Sequence, residues 1–160
     1  MTQYIDVHDD FLASYYNDYY EKLFGDADSR YPWYFSNNIN HNTYKGNFYF
    51  CNVAYDRDHG IEDLSQYPVY EPLLNRLNIT VSQVRRIKSN LYPLSGRRIH
   101  HQTHIDYPSN QQNLRTCLYY VHESNRLTIF DGKQKIKCKN NRAIIFDGSI
   151  PHHSTTPTDV

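Results

Sequence analysis

Cysteine is scarce in this 160-residue chain, with only Cys51, Cys117 and Cys138. They form no Cys-x-x-Cys pair and each sits among apolar or aromatic neighbours, so reduced, buried thiols in a cytoplasmic protein are expected. Charge excess is missing too: 17 Lys plus Arg balance 17 Asp plus Glu. Sequence-independent nucleic-acid binding needs a cationic excess or a concentrated basic face, so nucleic acid is not an expected partner. The longest basic stretch, Arg85-Arg86-Ile87-Lys88, alternates with apolar residues and reads as a solvated strand face. No run approaches the roughly 20 apolar residues of a membrane span. The start, Met1-Thr2-Gln3-Tyr4, lacks the basic and apolar regions of a signal peptide. No membrane partner is expected. Internal repeats, a low-complexity tail and a clear linker are also lacking. The length suits a single domain over 1–160, with a helical and aromatic support over about 1–80 and a β core over about 81–160.

Tyrosine, in contrast, is abundant. Sixteen Tyr with seven Phe supply much of the apolar bulk, while glycine is down to six. Such packing suits strands and clefts where a ring is buried and its hydroxyl stays wet. An AT-rich coding sequence accounts for the same bias without any function.

The spacing of Phe11, Leu12, Tyr15, Tyr16, Tyr19 and Leu23 predicts a helix over 9–24, with acidic residues at its start and Gly25 as its stop. Residues 26–47 show no sustained period. An aromatic run predicts a strand over 47–55, and a second helix is expected after Pro68. From residue 80 onward the pattern is β: strands over 84–92, 114–122, 126–130, 135–138 and 142–146, with Asp131-Gly132 as a hairpin turn. Helices first and short antiparallel strands second predict a mainly β fold with flanking N-terminal helices, a jelly roll or barrel.

Five of the nine histidines fall in two groups, His100, His101 and His104, then His152 and His153. In His104-Ile105-Asp106 an imidazole and a carboxylate stand two residues apart, on one face if the segment is extended. A third ligand from the late pair would complete a two-His-one-carboxylate facial set, the geometry of non-haem Fe(II) sites that activate O₂. His8-Asp9-Asp10 has the same spacing, but its place at the predicted helix start reads as acidic capping.

Further segments are Arg86-Ile87-Lys88-Ser89-Asn90-Leu91-Tyr92-Pro93, Thr116-Cys117-Leu118-Tyr119-Tyr120-Val121, Asn141-Arg142-Ala143-Ile144-Ile145-Phe146-Asp147 and His152-His153-Ser154-Thr155-Thr156-Pro157-Thr158-Asp159. With the His-x-Asp, their order and spacing over 85–159 resemble the 2-oxoglutarate/Fe(II)-dependent oxygenase superfamily. The likeness is greatest to small hydroxylase-like members encoded by marine bacteriophages. Pro32-Trp33-Tyr34 resembles their N-terminal part more loosely. The resemblance implies a double-stranded β-helix, Fe(II) with 2-oxoglutarate as cosubstrate and O₂, and substrate hydroxylation with release of succinate and CO₂. It implies His104, Asp106 and His152 as iron ligands, with His153 turned away by strand alternation and His100 and His101 in a loop at the barrel mouth. Asn90-x-Tyr92 resembles the Asn-x-Tyr element of the alkylated-base demethylase branch, which hydrogen-bonds the cosubstrate; the plainer reading is a strand-end turn former and a core ring.

One departure concerns the cosubstrate. Members of the superfamily hold its distal carboxylate with an Arg or Lys on the strand after the distal histidine. Here the sequence stops at Val160, right after Thr158-Asp159. The expectation is either an incomplete chain lacking its last strand or another anchor, Arg115 being the candidate. A missing strand also predicts an exposed edge through which two copies pair. The substrate is left open, a peptide or protein side chain or a small molecule being favoured, with Arg97-Arg98 as the one hint of a nucleobase. Two alternatives stand beside the oxygenase: a cupin-like metal enzyme without 2-oxoglutarate, and a truncated, non-enzymatic metal-binding domain.

Overall fold

The computed structural model describes residues 4–37, 48–108 and 114–159. They form a mainly β protein with antiparallel sheets and two helices, divided into two compact units. The first holds residues 4–11, 92–108 and 114–159; the second holds 12–37 and 48–91. The division predicted near residue 80 thus falls between Leu91 and Tyr92, and the extreme N-terminal strand joins the C-terminal unit. Among the described residues no helix is long and apolar enough to cross a membrane.

In the second unit, helix α1 (Ser14–Gly25) precedes strands β2 (Tyr34–Ser36), β3 (Tyr49–Asp56) and β4 (Ile61–Glu62), helix α2 (Tyr67–Leu77) and strand β5 (Arg86–Leu91). β3 is the central strand, pairing with β2, β4 and β5. Here tyrosine hydroxyls are satisfied inside: Tyr31 meets Tyr70 at 2.6 Å, Tyr70 meets Ser89 at 2.9 Å, and Tyr20 donates to the Val69 carbonyl at 2.6 Å. α2 ends at Asn78, in the left-handed region that asparagine tolerates.

The first unit opens with β1 (Ile5–His8), unforeseen in the sequence, and continues with β6 (Arg115–Tyr120), β7 (Leu127–Phe130), β8 (Gln134–Lys137), β9 (Arg142–Asp147) and β10 (His152–Ser154). β1 pairs with β9, so residues 9 and 10 do not begin a helix. Asp9 instead binds Arg142 through both carboxylate oxygens, at 2.6 and 3.0 Å, and Lys139 at 2.9 Å. Those cations hold its carboxyl well below the ordinary range. Asp10 then turns the chain with φ 52°, and α1 starts only at Ser14.

The six strands make two three-stranded antiparallel sheets, ordered β1-β9-β6 and β10-β7-β8. The chain alternates between them, β6 in the first, β7 and β8 in the second, β9 in the first and β10 in the second. β7 and β8 are joined at Asp131-Gly132, both with positive φ, closed by Lys133 N–H donating to the Phe130 carbonyl at 2.9 Å. Two left-handed central residues give a turn whose twist matches the flanking strands. The sheets face one another over Tyr120, Phe130, Ile136, Cys138, Ile144, Phe146 and Ile150, with Ile5 and Leu118 packed alongside. The three cysteines are unpaired, Cys138 buried and the others partly so, and burial pushes the Cys117 thiol up to about 12.

Candidate metal centre

His104, Asp106 and His152 converge at one end of the first unit. Strand register is the cause. His104 and His152 form an antiparallel bridge, each N–H donating to the other's carbonyl at 2.9 Å, so both rings leave the same face with centroids 4.4 Å apart. Asp106, two residues on, is fixed by its N–H donating to the Gly148 carbonyl at 2.8 Å.

The donor atoms of the three side chains all lie within 4.8 Å of one another. His104 Nε2 is 3.7 Å from Asp106 Oδ1, and His152 Nε2 is 3.9 Å from Oδ2. Donors about 2.1 Å from one ion are at most about 4.2 Å apart, so both separations fit inside a single coordination sphere.

The rear atoms of the ligands are already engaged. His152 Nδ1 is 2.9 Å from the Ile150 carbonyl and His104 Nδ1 is 3.3 Å from that of Gln102. A carbonyl oxygen only accepts, so each Nδ1 carries a proton, and Nε2 is the nitrogen of each ring turned toward Asp106. Thr116, on β6, donates its hydroxyl to Asp106 Oδ2 at 2.5 Å. His152 is buried against the rings of Phe130 and Phe146, with centroids 5.7 and 4.8 Å away, whereas the His104 side chain is one-third exposed. The centre is walled on one side and open on the other. Two imidazoles and a carboxylate are a donor set that suits a divalent Fe, Mn, Co, Ni or Zn ion.

Gly148 shapes the carboxylate's seat. A Cβ there would stand 2.9 Å from Tyr107 Cδ2 and 3.6 Å from Asp106 Cβ, so only glycine lets the turn approach.

The other residues singled out in the sequence are dispersed. His153 points from the opposite face of β10, its ring nitrogens 3.2 Å from His100 Nδ1 and 3.3 Å from Thr103 Oγ1. His100 and His101 are not in a free loop: His100 bridges to Thr155, and His101 N–H donates to the Ser154 carbonyl at 2.9 Å. His8 does not open a helix; it ends β1 and lies 3.0 Å from Asp6. Asn90 is exposed on β5, opposite Cys51, and belongs to the second unit. Tyr92 is in the first unit, stacked on His101 with centroids 5.4 Å apart. Arg115 requires a correction. Successive strand residues face opposite ways, and Thr116 faces Asp106, so Arg115 is directed outward, its guanidinium 4.4 Å from the Tyr4 ring centre. It is not placed to anchor a ligand at the triad.

Sequence reasoning passed over Thr116 and Gly148. Thr116 stood in a quoted strand segment, and its parity relative to Arg115 was the usable signal. Compared with known proteins, the chain matches no family model and no curated protein.

Proposed function

We propose that the two facing sheets of the first unit are the halves of a double-stranded β-helix, and that the chain is an Fe(II)- and 2-oxoglutarate-dependent oxygenase. Its substrate would be a peptide or protein side chain or a small molecule. The alternation of successive strands between the two sheets supports the first part. The observation that carries the second is the convergence of His104, Asp106 and His152 with their rear atoms already bonded.

In this reading the three side chains hold the ion on one face and leave its other positions to ligands. The bound iron supplies coupled oxidation, in which 2-oxoglutarate, O₂ and a substrate C–H give succinate, CO₂ and a substrate hydroxyl. The chain's own share is orientation and water exclusion. Thr116 holds Asp106, backbone carbonyls set both imidazole tautomers, and Phe130 with Phe146 keeps water from the His152 side. Tyr92 is retained as a proposed cosubstrate contact. We retain the proposal that two copies pair through a strand edge beside β10, the strand of the distal histidine, which is outermost in its sheet.

The test is succinate formation by protein loaded anaerobically with Fe(II) and then given 2-oxoglutarate and O₂. Turnover that disappears in Asp106→Ala is the expected result. Metal binding with no succinate would contradict it and favour the cupin-like enzyme or the non-enzymatic metal-binding domain.

A further inference from the structure

His100 and His153 face each other outside the triad. His100 Nδ1 is 3.2 Å from His153 Nε2, with ring centroids 5.4 Å apart and planes inclined at 52°. The other nitrogen of His153, Nδ1, is 3.3 Å from Thr103 Oγ1. His100 and Thr103 are exposed and His153 is half-buried, so the pair is open to solvent. Two further histidines, His8 and His59, each face a carboxylate at 3.0 Å, those of Asp6 and Asp56. Here imidazole meets imidazole, and no carboxylate pairs with either ring among the described residues.

The backbone brings them together. Segment 99–104 is hydrogen-bonded along 152–156: Thr156 N–H donates to the Ile99 carbonyl at 3.0 Å and His101 N–H to the Ser154 carbonyl at 2.9 Å. His100 bridges to Thr155, which shares a strand face with His153 by period-two alternation. Between this bridge and that of His104 with His152, residues 101–103 oppose only residues 153 and 154, so one strand carries an extra residue. His153 is flanked there by Thr103 at one nitrogen and by His100 at the other. Because His152 and His153 are consecutive on β10, the pair lies on the face opposite to the triad.

Two nitrogens 3.2 Å apart have the spacing of neighbouring positions around one metal ion. At a metal–nitrogen distance of about 2.0–2.1 Å, a right angle separates two donors by about 2.9 Å and a tetrahedral angle by about 3.4 Å. The exposed His100 ring turns about a broad terminal torsion, so both nitrogens can aim at a shared point. Thr103 Oγ1 can accept the Nδ1 proton of His153, which leaves Nε2 as the metal-facing nitrogen. We propose that His100 and His153 form a second metal site, taking one Ni(II), Cu(II) or Zn(II) ion with water in its remaining positions. Imidazole suits these ions, whereas Mn(II) favours oxygen donors and depends on the carboxylate that the triad supplies. The bound ion clips segment 99–104, which carries His104, to β10. The site shares no ligand with the triad and stands without the oxygenase reading.

Calorimetric titration of the untagged full chain with Ni(II) tests it. His100→Ala and His153→Ala should each bind one Ni(II) fewer than wild type, with circular dichroism unchanged. Should His153→Ala unfold, the exposed His100→Ala decides by itself. His8→Ala and His59→Ala should keep the wild-type count, which excludes the histidine–carboxylate pairs as the source of the ion. Mn(II) stoichiometry in His100→Ala and His153→Ala should equal that of wild type. Failure of the triad reading would show in Mn(II) and leave the Ni(II) difference untouched. In His104→Ala, Ni(II) should still raise the melting temperature, because the ion binds the folded chain, and adding His153→Ala should abolish that rise. A wild-type Ni(II) count in either His100→Ala or His153→Ala overturns the proposal. So does a melting-temperature rise that survives His153→Ala, or loss of Mn(II) in His153→Ala, which would assign that ring to the ion of the triad.

Discussion

Thr116 and Asp106 are joined side chain to side chain, the threonine hydroxyl donating to Oδ2 across 2.5 Å from a neighbouring strand. The bond fixes the carboxylate's rotation and leaves Oδ1 toward His104 Nε2, 3.7 Å away. Groups that orient a ligand in this way are worth roughly 10- to 100-fold in metal affinity. Thr116→Val keeps the shape and removes the donor, so Mn(II) affinity should fall within that range while the fold is unchanged. Calorimetric titration checks it, and an unaltered affinity would show that the carboxylate is held by its backbone alone.

Gly148→Ala tests the seat beneath that carboxylate. The new methyl would stand 2.9 Å from Tyr107 Cδ2, closer than a carbon contact allows. Overpacking of this kind costs about 1–3 kcal/mol. A lowered melting temperature together with weakened metal binding is expected. Wild-type values for both would mean that the Tyr107 ring moves aside freely.

His101 gives stability a pH dependence. Burial is the largest cause, with the Arg126 charge next, of a fall from the ordinary 6.5 to about 4. The unfolded chain therefore takes up this proton at higher pH than the folded chain. The contribution is fully present above about pH 6.5 and is lost as pH falls through 4, on the order of 3 kcal/mol in all. The lowered His153 acts in the same direction. Urea midpoints should decline across that window, and His101→Gln should flatten the decline. An equally steep decline in the variant would place its cause elsewhere.

What the sequence made legible was local. Asp131-Gly132 marks its turn because two adjacent residues must take positive φ, and the apolar run 143–146 marks β9 because both its faces are largely covered. His104 and Asp106 are visible as a pair because an i, i+2 spacing needs no partner to be meaningful. The failures were non-local. Asp9 resembles a helix cap, yet its partner Arg142 lies 133 residues away, and the four-residue β1 acquires a role only by pairing with β9. Arg115 stood beside an inward position, and the parity that turns it outward is fixed by Thr116 reaching Asp106. That His104 opposes His152 also belongs to register, which residue types do not encode.

The central claim, that His104, Asp106 and His152 bind one metal ion together, is tested most directly by Mn(II) stoichiometry in single alanine variants. The expected result is one ion per chain in wild type and in His153→Ala, whose ring leaves the opposite face of β10. High-affinity binding should be lost in His104→Ala, Asp106→Ala and His152→Ala, each remaining folded by circular dichroism. Retained binding in His152→Ala, or its loss in His153→Ala, would contradict the account.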